Sequence, residues 1–233
     1  MLSSGFCKTN AASVVWRWIY FLPMKYFSLR DGVACFSPTR ELQSGLQIPL
    51  ETFGQLLQKH LDKYPTTLDI ERLGEQLVRL DFPPKEMTGF VTEVCGWAGK
   101  RGNQVKPRIL KNSADDMRAK FRSALSSLAV ASVAEALQRV TLLHGLRTSF
   151  ASKHLRFLKP DLCPVFDSVL QHALPYPFTP VGYAHFCVDC DSIATALKER
   201  RISNPRGRVA GSWFRADVEG ALFIAAGKAL PRR

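Results

Sequence analysis

The 233-residue chain contains no run of about 20 apolar residues of the kind a membrane-spanning helix needs. Its most hydrophobic stretch, AASVVWRWIYFLPM (residues 11–24), is interrupted by Arg17 and Pro23 and has no clear small-residue cleavage site. It reads as core or docking surface, and the expectation is a cytoplasmic protein with no membrane partner. Paired cysteines are also lacking. The six cysteines are scattered, with one close pair, Cys187 and Cys190 in CVDC. That spacing is half of a tetrahedral zinc site, but neither His172 nor His185 completes a second pair at matching distance. No metal, no cofactor and no disulfide framework is expected, and the thiols read as reduced and mostly buried. Internal repeats, low-complexity tracts and long Gly/Ser linkers are absent. What remains is long enough for one large domain or two small ones, with a core that needs no staples.

Acidic side chains are scarce in one particular region. Residues 1–99 balance ten basic against ten acidic side chains, whereas residues 100–160 hold thirteen basic against three acidic. Residues 161–197 contribute −4 and residues 198–233 contribute +6, completing a net charge of +12. Such localised charge suits a surface that follows a phosphate backbone by releasing its counterions, so nucleic acid is the expected partner class.

Strand-like alternation is scarce beyond the first fifty residues, and the chain reads as predominantly α. ETFGQLLQKHLDKY spaces Phe53, Leu56, Leu57 and Leu61 at helical intervals, and LDIERLGEQLVRL does the same with Ile70, Leu73, Leu77 and Leu80 before DFPP stops it. A third helix is expected from Lys85 to about Trp97, ending in the Gly- and Lys/Arg-rich GWAGKRGNQVKPR. Ser113 with Asp116, and Ser132 with Glu135, have capping-box spacing and predict two helix starts. The second helix runs to HGLR, where Gly145 supplies the positive φ of a helix stop. SFASKHLRFL then forms another helix, and Asp167 precedes the short helical stretch SVLQHAL. RADVEGALFIAAGKAL reads as a closing helix with Val218, Leu222 and Phe223 inward; Asp217 and Glu219 are expected to pair with Arg215 or cap that helix. KERRISNPRGRVAG reads as a second backbone-contacting arm or a solvated loop. The division is a segment 1–50 with short strands packing on a helical domain 51–233, its hairpin at about 133–158 and its aspartate loop at 160–170.

Residues 132–171 carry a more specific signal. A helix, a glycine turn and a second helix aim backbone amides and a positive helix N-terminus at a phosphate. A carboxylate shortly afterwards sits where the sugar of an extruded nucleotide would lie. LLHGLRTSFASKHL and CPVFDSVL together resemble the helix-hairpin-helix, Gly/Pro-loop, aspartate superfamily of DNA glycosylases, most nearly short bacterial proteins of the 8-oxoguanine glycosylase fold. Leu143, Gly145, Leu146 and Ala151 match the hairpin pattern, His144 and Arg147 replace its proline and second glycine, and Asp167 takes the place of the family's carboxylate.

The resemblance implies a helical glycosylase fold and an enzyme that flips a damaged or modified base from double-stranded DNA and hydrolyses its N-glycosidic bond. Asp167 would be the catalytic residue, an anion held at a helix N-terminus beside a developing sugar cation. Ser149 stands where lyase-competent members carry lysine, so monofunctional hydrolysis is expected; Lys153, one turn further on, is an alternative amine. His144, Gly145, Arg147, Ser149, Lys153 and Arg156 are the expected DNA contacts, and Trp97 and Phe166 the expected base-pocket or wedge residues. The implied target is an oxidised purine in repair or a modified base in viral DNA in phage defence. The rival readings are a non-catalytic helix-hairpin-helix module of a repair or defence assembly, and an RNA-binding component. No iron–sulfur cluster and no obligate protein partner is implied.

Overall fold

The computed structural model describes residues 26–208 and 211–231; the hydrophobic stretch at 11–24 lies outside them. Three strands lead the described chain: β1 (Phe27–Arg30), β2 (Val33–Phe36) and β3 (Gln47–Pro49). They form an antiparallel sheet in the order β1-β2-β3, with Phe27 opposite Phe36 and Val33 opposite Pro49. The two-residue turn Asp31–Gly32 has both φ positive, the geometry that joins right-twisted strands without splaying them. Ala34, Phe36 and Ile48 are buried on the helical body. Thr39 Oγ1 donates to the His172 carbonyl at 2.9 Å, a second tie to that body. The expected short strands are therefore present among the described residues.

Ten helices follow among the described residues: α1 (Phe53–Lys63), α2 (Thr67–Arg79), α3 (Pro84–Trp97), α4 (Gly99–Ile109), α5 (Ala114–Ala129), α6 (Val133–Thr141), α7 (Thr148–Leu158), α8 (Ser168–Ala173), α9 (Pro180–Glu199) and α10 (Arg215–Ala229). The molecule is predominantly helical. Phe53, Leu56 and Leu57 of α1, and Ile70 and Leu77 of α2, are buried as their spacing requires. At the start of α5, Ser113 Oγ accepts from the Asp116 amide at 3.1 Å. The matching spacing at Ser132 does not produce a cap: α6 starts there, but Ser132 makes no side-chain cap bond and Glu135 pairs with Arg139 instead.

Two helices were not expected. GWAGKRGNQVKPR reads as a helix end and a flexible loop, yet residues 99–109 form α4 after a sharp turn at Gly99. The turn folds α4 back on α3 so closely that a Cβ on Gly102 would lie 1.8 Å from the Cys95 carbonyl oxygen. Pro107, in the last turn of α4, lacks the amide that would otherwise bond back along the helix. The twenty-residue α9 begins with Pro180 at its first position, and Thr179 Oγ1 accepts from the Gly182 amide at 3.2 Å.

The centre of the fold is α7, in which every residue from Ala151 to Leu158 is buried. It packs against α2, α3 and α6, while α1 lies along α10 and α5 along α6. Among the described residues no helix is long and apolar enough to cross a membrane and no group of side chains could hold a metal ion. Cys95, Cys163, Cys187 and Cys190 are buried and, like Cys35, free.

Candidate active site

Asp167 is the N-cap of α8. Its Oδ1 accepts from the Val169 amide at 3.0 Å and the Leu170 amide at 3.4 Å, so the side chain satisfies two of the helix's free amides. Its Oδ2 takes a bond from Lys153 Nζ at 3.1 Å. Lys153 also donates to Ser149 Oγ, one helical turn earlier, at 3.1 Å. The ion pair is largely enclosed, with side-chain exposures of 7% for Lys153 and 15% for Asp167. A lysine reaching inward from the central helix thus meets a carboxylate fixed by a helix start.

The pair forms one side of a cavity of about 160 Å³. Its other walls are His60 from α1 and Tyr64 just after it, Trp97 and Gly99 at the α3–α4 turn, Val165, and Glu219 and Phe223 from α10. Tyr64 packs on Trp97 with ring centroids 5.0 Å apart and meets Phe223 edge-on at 5.9 Å. Trp97 is braced behind by Phe157 at 5.1 Å, and its indole N–H donates to Thr67 Oγ1 at 3.0 Å. Aromatic faces on several sides and charge on one suit a single flat, polar ring system, and the volume is well below the several hundred Å³ of a drug-sized pocket.

Burial governs the protonation of the walls. It holds the His60 imidazole neutral, with a pKa lowered to about 3, and nearby Arg156 and Arg206 push in the same direction. Burial raises the Tyr64 phenol above its usual value, with the charges of Asp167 and Glu219 adding to it. The Glu219 carboxyl is pushed up to about 8, first by burial and then by Asp167, against the opposing pull of Arg156 and Lys153.

Beneath the pocket lies a buried ion network. Glu71 is paired with Arg156 at 2.7 Å, with Arg206, and with Arg208 at 3.5 Å. Asp217 takes Arg206 at 2.8 Å and Arg208 at 2.5 Å, and also accepts from the Phe214 amide, capping α10. The contact between Arg156 Nη1 and Glu71 is close but too bent to be a hydrogen bond. Burial opposes ionisation of both acids, yet the arginines prevail and hold Glu71 and Asp217 below the usual carboxylate range.

Several expected roles change. Arg156 is 1% exposed and committed to Glu71, so it does not face a phosphate. Lys153 is likewise interior, which removes it from the backbone-contacting set and leaves it beside Asp167. Phe166 belongs to an aromatic core with Phe178, Phe186, Tyr176 and Tyr183 and does not line the cavity. Arg206 and Arg208 anchor their loop to α2 and α10 and form no arm, and Arg215 pairs with Asp191 rather than with either acid of its own helix. Trp97 does line the pocket, but as a braced wall at the α3–α4 turn. Sequence reasoning missed His60, Tyr64 and Glu219. Only Glu219 had a signal, its i,i+4 spacing from Phe223 on one helix.

The turn between α6 and α7 holds the exposed members of the expected set. His144 and Arg147 are exposed, Gly145 has φ +86°, and Ser149 is half-buried in the first turn of α7. The turn is held from behind: Asn112 accepts from the His144 amide at 2.8 Å and donates to its carbonyl at 2.9 Å. The His144 amide is thus occupied. No side chain caps α7, so the first-turn amides of Thr148, Ser149 and Phe150 have no helical partner. Lys100, Arg101, Arg108 and Lys111, on and just after the neighbouring α4, are exposed or half-exposed. No protein-family model, curated protein or solved structure matches the chain.

Proposed function

We propose that the protein is a DNA glycosylase that draws one damaged or modified base out of duplex DNA and hydrolyses its N-glycosidic bond, leaving an abasic site. The carrying observation is the Lys153–Asp167 pair in a small aromatic-walled cavity. Breaking the bond from C1′ to the base builds positive charge on the sugar, and a fixed carboxylate next to it stabilises that charge and orients the attacking water. The α6–α7 turn serves as the family's helix-hairpin-helix, with the free amides of α7 and the Arg147 guanidinium gripping a phosphate. Such contacts position the duplex without reading its sequence. The cavity accommodates one base and no more of the strand, which supports extrusion of a single nucleotide.

A second reading is favoured by one specific contact. The Lys153 ammonium is 3.1 Å from Asp167, so the amine that Ser149 lacks is supplied one turn later. After losing a proton it could attack C1′ itself, giving a Schiff base and strand cleavage.

One experiment addresses both. Incubated with duplexes carrying single modified bases, the wild-type protein is expected to release base, and Asp167→Asn to be slower by at least about a hundredfold while still binding DNA. Hydrolysis leaves nothing for borohydride to trap; an adduct that disappears in Lys153→Ala establishes the amine route instead. Salt-sensitive DNA binding with no abasic product, unchanged by Asp167→Asn, would make the protein a non-catalytic DNA-binding module. Preference for single-stranded RNA over duplex DNA would exclude the glycosylase reading.

A further inference from the structure

Glu219 is 1% exposed, yet it lines the cavity, and its Oε2 has no hydrogen-bond partner. The Val165 backbone amide lies near its carboxyl and favours the charged form. A buried polar atom without a partner is costly to maintain, and here it belongs to a side chain lining the space an extruded base would occupy. Asp167, Tyr64 and Lys153 share that space, so a ligand between them meets a paired carboxylate on one side and an unpaired one on the other.

Resting on the glycosylase reading, the geometry points to Glu219 as the proton donor to the departing base. As the bond from C1′ to the base nitrogen breaks, its electron pair moves onto the base. The Glu219 proton passes from Oε2 to a ring nitrogen or carbonyl oxygen of that base. Water adds to C1′ and gives its own proton to Asp167, and exchange with solvent returns a proton to Glu219. Two carboxyl groups in one site, one paired with a lysine and two amides and the other without a partner at Oε2, suit a division between charge stabiliser and acid. The groups facing Glu219 are Arg156 and Lys153 from α7, Asp167 before α8, His60 from α1 and Tyr64 just after it, and Cys190 from α9. Its raised pKa keeps it protonated at neutral pH. The substrate class follows: neutral bases that leave poorly without a proton, as distinct from purines already made cationic by alkylation.

The test compares single-turnover release of 8-oxoguanine with release of 7-methylguanine from otherwise identical duplexes between pH 5.5 and 9.5. Wild-type release of 8-oxoguanine is expected to be flat at low pH and to fall about tenfold per pH unit above the Glu219 pKa. Glu219→Gln should slow it by about a hundredfold or more and abolish the alkaline fall. Release of 7-methylguanine, which departs without an added proton, should change by less than about threefold, a selectivity that general disruption of the pocket would not produce. Glu219→Asp, keeping the acid at a shorter reach, should restore the alkaline fall at a reduced rate, and binding to a duplex with a stable abasic analogue checks that both variants are folded. Glu219→Gln within threefold of wild type on 8-oxoguanine, or retention of the alkaline fall, or equal slowing on both bases, overturns the role of Glu219 alone. Release of neither base by the wild-type protein overturns the glycosylase reading for these bases and the proton transfer with it.

Discussion

Three carboxylates within one small region have opposite pH behaviour because their neighbours differ. Glu71 and Asp217 are stabilised as anions by Arg156, Arg206 and Arg208, so their folded pKa values lie below those of the unfolded chain. Their contribution is present above about pH 4 and is lost as pH falls through the folded values. Glu219 is the reverse: its folded value, about 8, exceeds the unfolded one, so its contribution is complete at low pH and declines as pH rises towards 8. Buried His60 and His154, held neutral with pKa values lowered to about 3 and about 4, add stability that is lost as pH falls below about 6.5. A thermal-melting series from pH 3 to 9 should therefore peak near about pH 6.5 and slope down on both sides. Glu219→Gln should flatten the alkaline slope, whereas a wild-type curve level between about pH 6.5 and 8 would refute this assignment. The sequence disclosed little of this. RADVEGALF places Asp217 and Glu219 two residues apart on one helix, but burial and the arginines that face each come from α2, α7 and the loop before α10. Asp167 was legible as the N-cap of α8, a place at which the proposed catalysis also asks for a carboxylate.

At the level of elements, amphipathic spacing disclosed α1 and α2 because each has one buried stripe, as capping spacing did the starts of α5 and α6. It failed for α4, whose glycines and basic residues imitate a loop, and for α9, whose buried residues are spread too widely around the helix to give one stripe. Basic character misled at α7 for a related reason: Lys153 and Arg156 look like a DNA-facing row, and both find acids inside the fold. The α6–α7 turn leaves little room for change. Gly145 has φ +86°, and a Cβ there would come within 3.0 Å of Arg108 Cβ and the Ile109 amide. Gly145→Ala should cost about 1–3 kcal/mol and lower the melting temperature by several degrees. It should also weaken binding to undamaged duplex, since the turn must shift away from α4. A variant with unaltered melting and DNA affinity would show that neither packing nor phosphate contact depends on the turn.

Across the whole molecule, several of the basic side chains serve the interior, where paired acids cancel nearly all of their charge. Arg156, Arg206 and Arg208 neutralise buried acids, and Lys153 pairs with Asp167. One exposed basic set lies around α4 and the α6–α7 turn, including Lys100, Arg101, Arg108, Lys111 and Arg147, and it is the set the proposed function assigns to the duplex. Duplex affinity measured against salt should fall with a logarithmic slope of about −0.9 for each phosphate contacted. Arg147→Gln should reduce that slope by about 1, whereas Lys198→Gln, distant in sequence on α9, should leave it unchanged. Equal effects of the two substitutions would place the interface elsewhere.

The cavity takes its walls from α1, the α3–α4 turn, α7, the residues before α8, and α10. On a ribosome these pieces emerge in that order, so the Lys153–Asp167 pair exists for some time before the helix carrying Glu219 and Phe223 is made. Until that helix docks against α1, the nascent chain has the charges of the site but lacks one wall of the enclosure around them. Under the proposed function, a chain stopped before α10 would therefore meet DNA with an open pocket that holds no base firmly.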